Sequence, residues 1–210
     1  MGIMMKFGAA CLGVVLLLVT VAAPSQADEA ADGQSFVRNL ADKAISRLTS
    51  PTMSQGERES TFRELLDTHF DIPSMGRSAL GRYWRVATPE EQNQYLSLFE
   101  DLIVATYAAR FRDYGGENLD ILGAARSSGS DDNVVLVQSQ ISRNVAKPIR
   151  IDWRVAQASS DPKIVDVVIE GVSMILTQRS EFTSVIIRNG NKVAGLNSEL
   201  DAKVKTLAPK

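Results

Sequence analysis

The hydrophobic period of the chain changes only twice. From Asp32 to Tyr114 apolar residues recur every three or four positions, which marks one face of a helix; from Asn118 to about Leu176 they alternate with polar ones, which marks one face of a strand. After that the helical spacing returns. Strands and helices are therefore segregated along the chain instead of interleaved. This excludes the βαβ units of parallel sheets and predicts an α+β domain, in which amphipathic helices cover one face of a curved, mainly antiparallel sheet.

The helical part, 32–114, divides at its local signals. "DGQSFVRNLADKAISRLTS" places Phe36, Leu40, Ala44 and Leu48 on one face, with Asp32 as the expected N-cap. "SQGERESTFRELLDTHF" carries a capping box, Ser54 with Glu57, ahead of a stripe of Phe62, Leu65, Leu66 and Phe70. "DIPSMGRSALGRYWRVA" reads as a short helix with two glycines. Thr88-Pro89-Glu90-Glu91 joins an N-cap, a proline at the first helical position and a box glutamate, so a long helix is predicted from there to about Tyr114, ended by Gly115-Gly116.

The strands follow, over about 118–176. "NLDILGAAR" and "VVLVQSQIS" flank the polar turn "SSGSDDN", and in "PIRIDWRVA" Ile149, Ile151, Trp153 and Val155 point one way while Arg150, Asp152 and Arg154 point the other. "KIVDVVIEGVSMIL" continues the sheet, with a bend at Gly171 and Met174 on the last strand. Two helices close the chain, about 178–189 and 191–206. This puts Arg179 in a first helical turn, where the macrodipole is already positive, so an offsetting partner is required. Asp166, Glu170 and Glu181 are the near carboxylates, and they would make a clasp between strand and helix.

Residues 1–27 read as an address. Lys6 supplies the positive segment, "AACLGVVLLLVTVAA" (9–23) the apolar one, and Ser25-Gln26-Ala27 a small-residue cleavage site. The apolar run is shorter than the roughly 20 residues of a membrane span, so export and cleavage are expected, leaving 28–210 as a single domain. Cys11, the only cysteine, leaves with that segment, which excludes disulfide and thiolate chemistry from the exported form. Lys6 leaves too, so the formal charge becomes one unit more negative than −2. The remaining basic residues are scattered, which speaks against a nucleic-acid partner.

Reactive groups are few. His69 is the single histidine; late in a helix, it reads as a surface imidazole stabilised by the dipole. One histidine and no cysteine leave no ligand set for a zinc site. "GVSMI" and "GRSALG" lack the second glycine of a nucleophile elbow. A carboxylate base tuned by burial, Asp152 or Asp166, is the one enzymatic option left. Apolar side chains, in contrast, are plentiful. The long helix offers Phe99, Ile103 and Tyr107, the strands offer Val137, Ile151, Trp153, Val155, Val167 and Ile169, and Met174 follows. Such stripes line a cavity as readily as they fill a core.

The stretch "FDIPSMGRSALGRYWRVATPEEQNQYLSLFEDLIVATYAARFRDYGG", then "RIDWRV" and "KIVDVVIEGVSMILTQRSEFTSVIIRNG", resembles the periplasmic MlaC family, also called toluene-tolerance proteins. It looks most like the hopanoid-biosynthesis-associated branch, HpnM. The likeness runs over roughly 35–205, and "DVVIEGVSMILTQRSEF" is its most specific part. The resemblance implies an NTF2-like α+β fold with an added helical part, enclosing an apolar pocket that receives lipid tails. It implies no enzyme, metal or cofactor. The cargo would be phospholipid or, in an HpnM-like protein, a hopanoid or other polycyclic lipid. Partners would be an inner-membrane ABC transporter with its substrate-binding ring and an outer-membrane lipoprotein–porin complex, or a hopanoid transporter. On this reading the ten apolar residues named above hold the tails. Arg179 and Arg82, with Arg77 and Arg85 as alternatives, lie at the rim near the headgroup.

Overall fold

Two local signals start their helices where the sequence places them. In this computed structural model, which describes residues 26–127, 133–142, 147–157 and 161–207, the Ser54 hydroxyl accepts from Glu57 N while the Glu57 carboxylate accepts from Ser54 N, opening α2 (Gln55–His69). Thr88 and Glu91 repeat the box for α4 (Pro89–Tyr107). Each box gives acceptors to two orphan amides at the helix start and contributes about 1 kcal/mol. Between them lie α3 (Ile72–Leu80), capped by the Asp71 carboxylate on Ser74 N, and the 3-10 turn Gly81–Arg85.

Elsewhere the boundaries differ from the sequence reading. The first helix, α1 (Gln26–Leu48), starts ahead of Asp32, which lies inside it and not at its cap. The expected signal segment lies outside the described residues apart from its last two, and most of the "SSGSDDN" turn lies outside them as well. Helix α4 gives way at Tyr107 to a 3-10 turn, Ala108–Asp113.

At the other end of the sheet, Met174 opens α5 (Met174–Arg188) instead of ending a strand. The reason is a doubled cap. The Ser173 hydroxyl accepts from Leu176 N and donates to the Asp166 carboxylate, 2.5 Å away, which also accepts from Ile175 N. Arg179 therefore sits in the second turn of α5, past the strongest part of the dipole. The last helix is α6 (Val193–Leu207).

The sheet is an antiparallel meander in the order β1 (Asn118–Arg126), β2 (Val134–Ser142), β3 (Ile149–Ala156), β4 (Lys163–Ile169), β5 (Val172–Ser173). Bulges at Leu122 in β1 and Val165 in β4 interrupt the register, which sharpens the twist and curves the sheet. Glu170 and Gly171 join β4 to β5 with φ of 50° and 81°, as a two-residue hairpin of primed type requires.

Packing divides into two clusters. One joins Val37 and Leu40 of α1 to Val135, Val137, Val155 and Ile164 on the inner face of the sheet. The other is a helical core of α3, α4, α5 and α6, where Tyr95 and Phe99 lie with rings 5.9 Å apart and Phe182 meets both edge-on. Phe70 touches both clusters, and the Ile164 carbonyl accepts from Asp71 N, tying the helical half to β4.

Candidate functional site

Register places the sheet's inner side chains in rows. Val135, Val155 and Ile164 form the first; Ala124, Val137, Trp153 and Val167 the second; Ile121, Ser139, Ile151 and Ile169 the third; Leu119, Ile141 and Ile149 the fourth. Both bulges are needed for this, because each inserts one residue and returns the alternation to the same face.

Burial falls from row to row. The first is sealed: Val155 and Ile164 have 0% exposure, and α1 lies so close that a Cβ on Gly33 would meet Val135 at 3.0 Å. The α1 terminus is held over this end by an ion pair from Glu29 to Arg126, 3.0 Å. In the second row Val137 is buried while Trp153 and Val167 are half-buried. In the third, Ile121, Ile151 and Ile169 are half-buried around a buried Ser139, and every residue of the fourth row is half-buried. Beside Leu119 a cleft of about 290 Å³ separates α1 from β1, lined also by Arg38, Ala41, Asp42, Ile45, Asn118 and Asp120. The inner face is thus closed at one end and open at the other, with aliphatic side chains continuous between them.

Trp153 is fixed within this face. Its Nε1 donates to Ser139 Oγ at 2.9 Å, and Ser139 donates onward to the Ile151 carbonyl at 2.7 Å. The ring's one polar atom is thereby satisfied inside the sheet, so the rest of the indole presents only hydrocarbon.

Of the ten apolar residues named from sequence, six share this face: Val137, Ile151, Trp153, Val155, Val167 and Ile169. The α4 residues belong to the helical side. Phe99 is buried in the aromatic cluster, and Ile103 is partly buried against it. Tyr107 is half-buried under the Arg110 guanidinium, 5.3 Å from its centroid. Met174 is half-buried at the start of α5. Ser139, Leu119, Ile121, Ile141 and Ile149 were missed as site residues, although cross-strand pairing with the named ones places them there.

The candidate bases have structural partners. Asp166 caps α5, and Asp152 pairs with Arg150 at 3.1 Å. His69 is not at the surface: it is 6% exposed, with Nδ1 3.0 Å from the Leu65 carbonyl and its ring 5.8 Å from Phe36. Burial pushes its pKa below the ordinary 6.5, aided by Lys43 and Lys163 and opposed by the Leu65 hydrogen bond. Among the described residues no three His, Cys, Asp or Glu side chains cluster as metal ligands.

Arg179 has none of the expected carboxylate partners. Its Nε donates to the Ser78 carbonyl at 2.7 Å, near the negative C-terminal end of α3. Its stem passes Gly81, where φ is +59° and a Cβ would stand 3.3 Å from Arg179 Cδ. Arg82 lies in the same place: a cleft of about 400 Å³ lined by Arg77, Gly81, Arg82, Trp84, Arg85 and Arg179.

Comparison with known proteins gives three findings. The family model described as MlaC protein matches residues 38–202. The intermembrane phospholipid transport system binding protein MlaC of Haemophilus influenzae is 24% identical over 124 residues, 58% of this chain and 58% of that protein, so the match spans less than two thirds of the relative. The solved structure of the phospholipid-binding protein from Ralstonia solanacearum in complex with a phospholipid superposes with a TM-score of 0.71 at 27% identity, covering 84% of this chain and 98% of that one.

Proposed function

The chain belongs to the MlaC family, and from that premise we propose that it is a soluble periplasmic carrier, exported by a cleaved N-terminal signal, that holds phospholipid acyl chains against the inner face of its sheet. It moves lipid between the outer and inner membranes as part of an ABC-type system. The Haemophilus relative's name and the phospholipid in the Ralstonia structure support this reading. The observation that carries it is the graded burial from the sealed Val155 and Ile164 to the half-buried Ile141 and Ile149. An apolar face left partly open suits hydrocarbon better than a polar substrate.

The energetics suit a shuttle. Removing two acyl chains of about 16 carbons from water is worth roughly 25 kcal/mol gross, at ~0.8 kcal/mol per methylene. Cavity opening and ordering subtract from that, and firm retention in water remains. Against a bilayer the gain nearly vanishes, because one hydrocarbon environment replaces another. Loading and release are then decided by the partner complexes at each membrane, which the resemblance names as an inner-membrane transporter and an outer-membrane lipoprotein–porin complex.

Organic extraction of protein purified from its native periplasm, followed by mass spectrometry, tests the proposal. Phospholipid near one molecule per chain is expected. A polycyclic lipid instead would keep the carrier and change the cargo; lipid-free protein would overturn the proposal.

A further inference from the structure

We propose that the cleft of Arg77, Arg82, Arg85 and Arg179 docks an acidic segment of a protein partner. This rests on the cleft itself and is independent of what occupies the sheet face.

Arg47, Arg63, Arg126, Arg150 and Arg188 each meet a carboxylate, whereas among the described residues none of these four does. Arg38, Arg58 and Arg110 also meet no carboxylate among the described residues; what distinguishes these four guanidiniums is that they line one cleft. Three of them are nevertheless held in place. Arg179 is fixed on the Ser78 carbonyl, Arg77 lies 5.1 Å over the Trp84 ring, and Arg82 lies 4.9 Å over Tyr83 while donating to its hydroxyl at 3.0 Å. Like charges gathered around about 400 Å³ raise a local positive potential that a bound anion relieves, and side chains already ordered lose little entropy when it arrives.

The surroundings favour a polypeptide over a lipid headgroup or a small anion. All lining residues come from α3, the turn after it and α5; none is on a strand, and none belongs to the rows of the sheet face. Large aliphatic side chains stand exposed beside the arginines: Val86, 70% exposed, follows Arg85, and Leu176, 58% exposed, is about one helical turn from Arg179. Arginine and tryptophan bordered by exposed aliphatics is the composition of a protein interface.

The test titrates the full exported chain, at low and moderate salt, with a short poly-L-glutamate peptide and separately with inorganic phosphate, and extracts bound lipid from the same preparations. The variant is Arg82→Gln with Arg85→Gln; the control is Lys147→Gln with Lys203→Gln, two exposed lysines elsewhere. Arg179 is left intact because it supports α3. The expected result is a loss of about tenfold in peptide affinity for the arginine variant and little change in the control; phospholipid content at the wild-type level in both separates docking from the headgroup role that the family resemblance implies for Arg82 and Arg85. Should the double variant fold poorly, Arg85→Gln alone, at an exposed position, gives the same comparison. Equal peptide affinity in variant and wild type, or equal loss in the control, overturns the proposal. So does phosphate binding as tightly as the peptide, and so does a fall in phospholipid content, which would assign the cleft to the lipid headgroup.

Discussion

The Nε1 of Trp153 on β3 donates to the Oγ of Ser139 on β2, 2.9 Å away, and Ser139 is itself wholly buried. This bond sets the plane of the largest side chain on the inner sheet face. Replacing Ser139 with Ala leaves the indole N–H without a partner in a half-buried site. The expected cost is about 1–2 kcal/mol by urea denaturation. In a double-mutant cycle with Trp153→Phe the coupling should be positive and near 1 kcal/mol; a coupling indistinguishable from zero would show that the bond does not hold the ring.

A second prediction concerns Arg179 and Gly81. Arg179 supplies a charge to the end of α3, and Gly81 both adopts a φ of +59° and leaves room for the arginine stem. Gly81→Ala therefore combines backbone strain with a contact at 3.3 Å and should cost about 1–3 kcal/mol. Arg179→Ala, exposed, should cost about 1 kcal/mol or less. Thermal unfolding of both variants checks the order; Arg179→Ala as the more damaging of the two would contradict it.

The buried His69 gives the fold a pH dependence. Its pKa is lowered by burial, so at pH values below 6.5 the unfolded chain takes up a proton that the folded chain resists. Its contribution to stability is complete above 6.5 and is lost as pH falls from there toward the lowered value. Melting temperatures measured from pH 7.5 downward should fall in this window for the wild type and fall less for His69→Gln. Identical slopes would remove His69 from the account.

How much of this could be read in the sequence depended on the range of each interaction. The boxes at Ser54 and Thr88 lie within four residues of the helices they open, and "RIDWRV" states its own alternation, so these were legible. The start of α5 was not: "VSMIL" has the apolar run of a strand, and what converts it to helix includes Asp166, brought to the Ser173 cap by the β4–β5 hairpin. His69 looks like a surface histidine until Phe36, far away in the chain, covers it. Arg179 has carboxylates near it in sequence, yet its partner is a backbone carbonyl about a hundred residues earlier, which no pattern of residue types announces. Likewise the α4 stripe was legible as apolar, yet Phe99 faces an aromatic helical core while the strand residues face α1.

The central claim is that hydrocarbon of a bound lipid lies against the half-buried rows of the sheet, and photocrosslinking tests it most directly. A benzophenone side chain placed at Ile151 on the inner face, and at Val168 on the opposite face as control, is irradiated in protein carrying its native cargo. Intact mass spectrometry should show a lipid-sized adduct at position 151 and none at 168. Lipid-loaded protein that gives no adduct at 151, or equal adducts at both positions, would contradict the account.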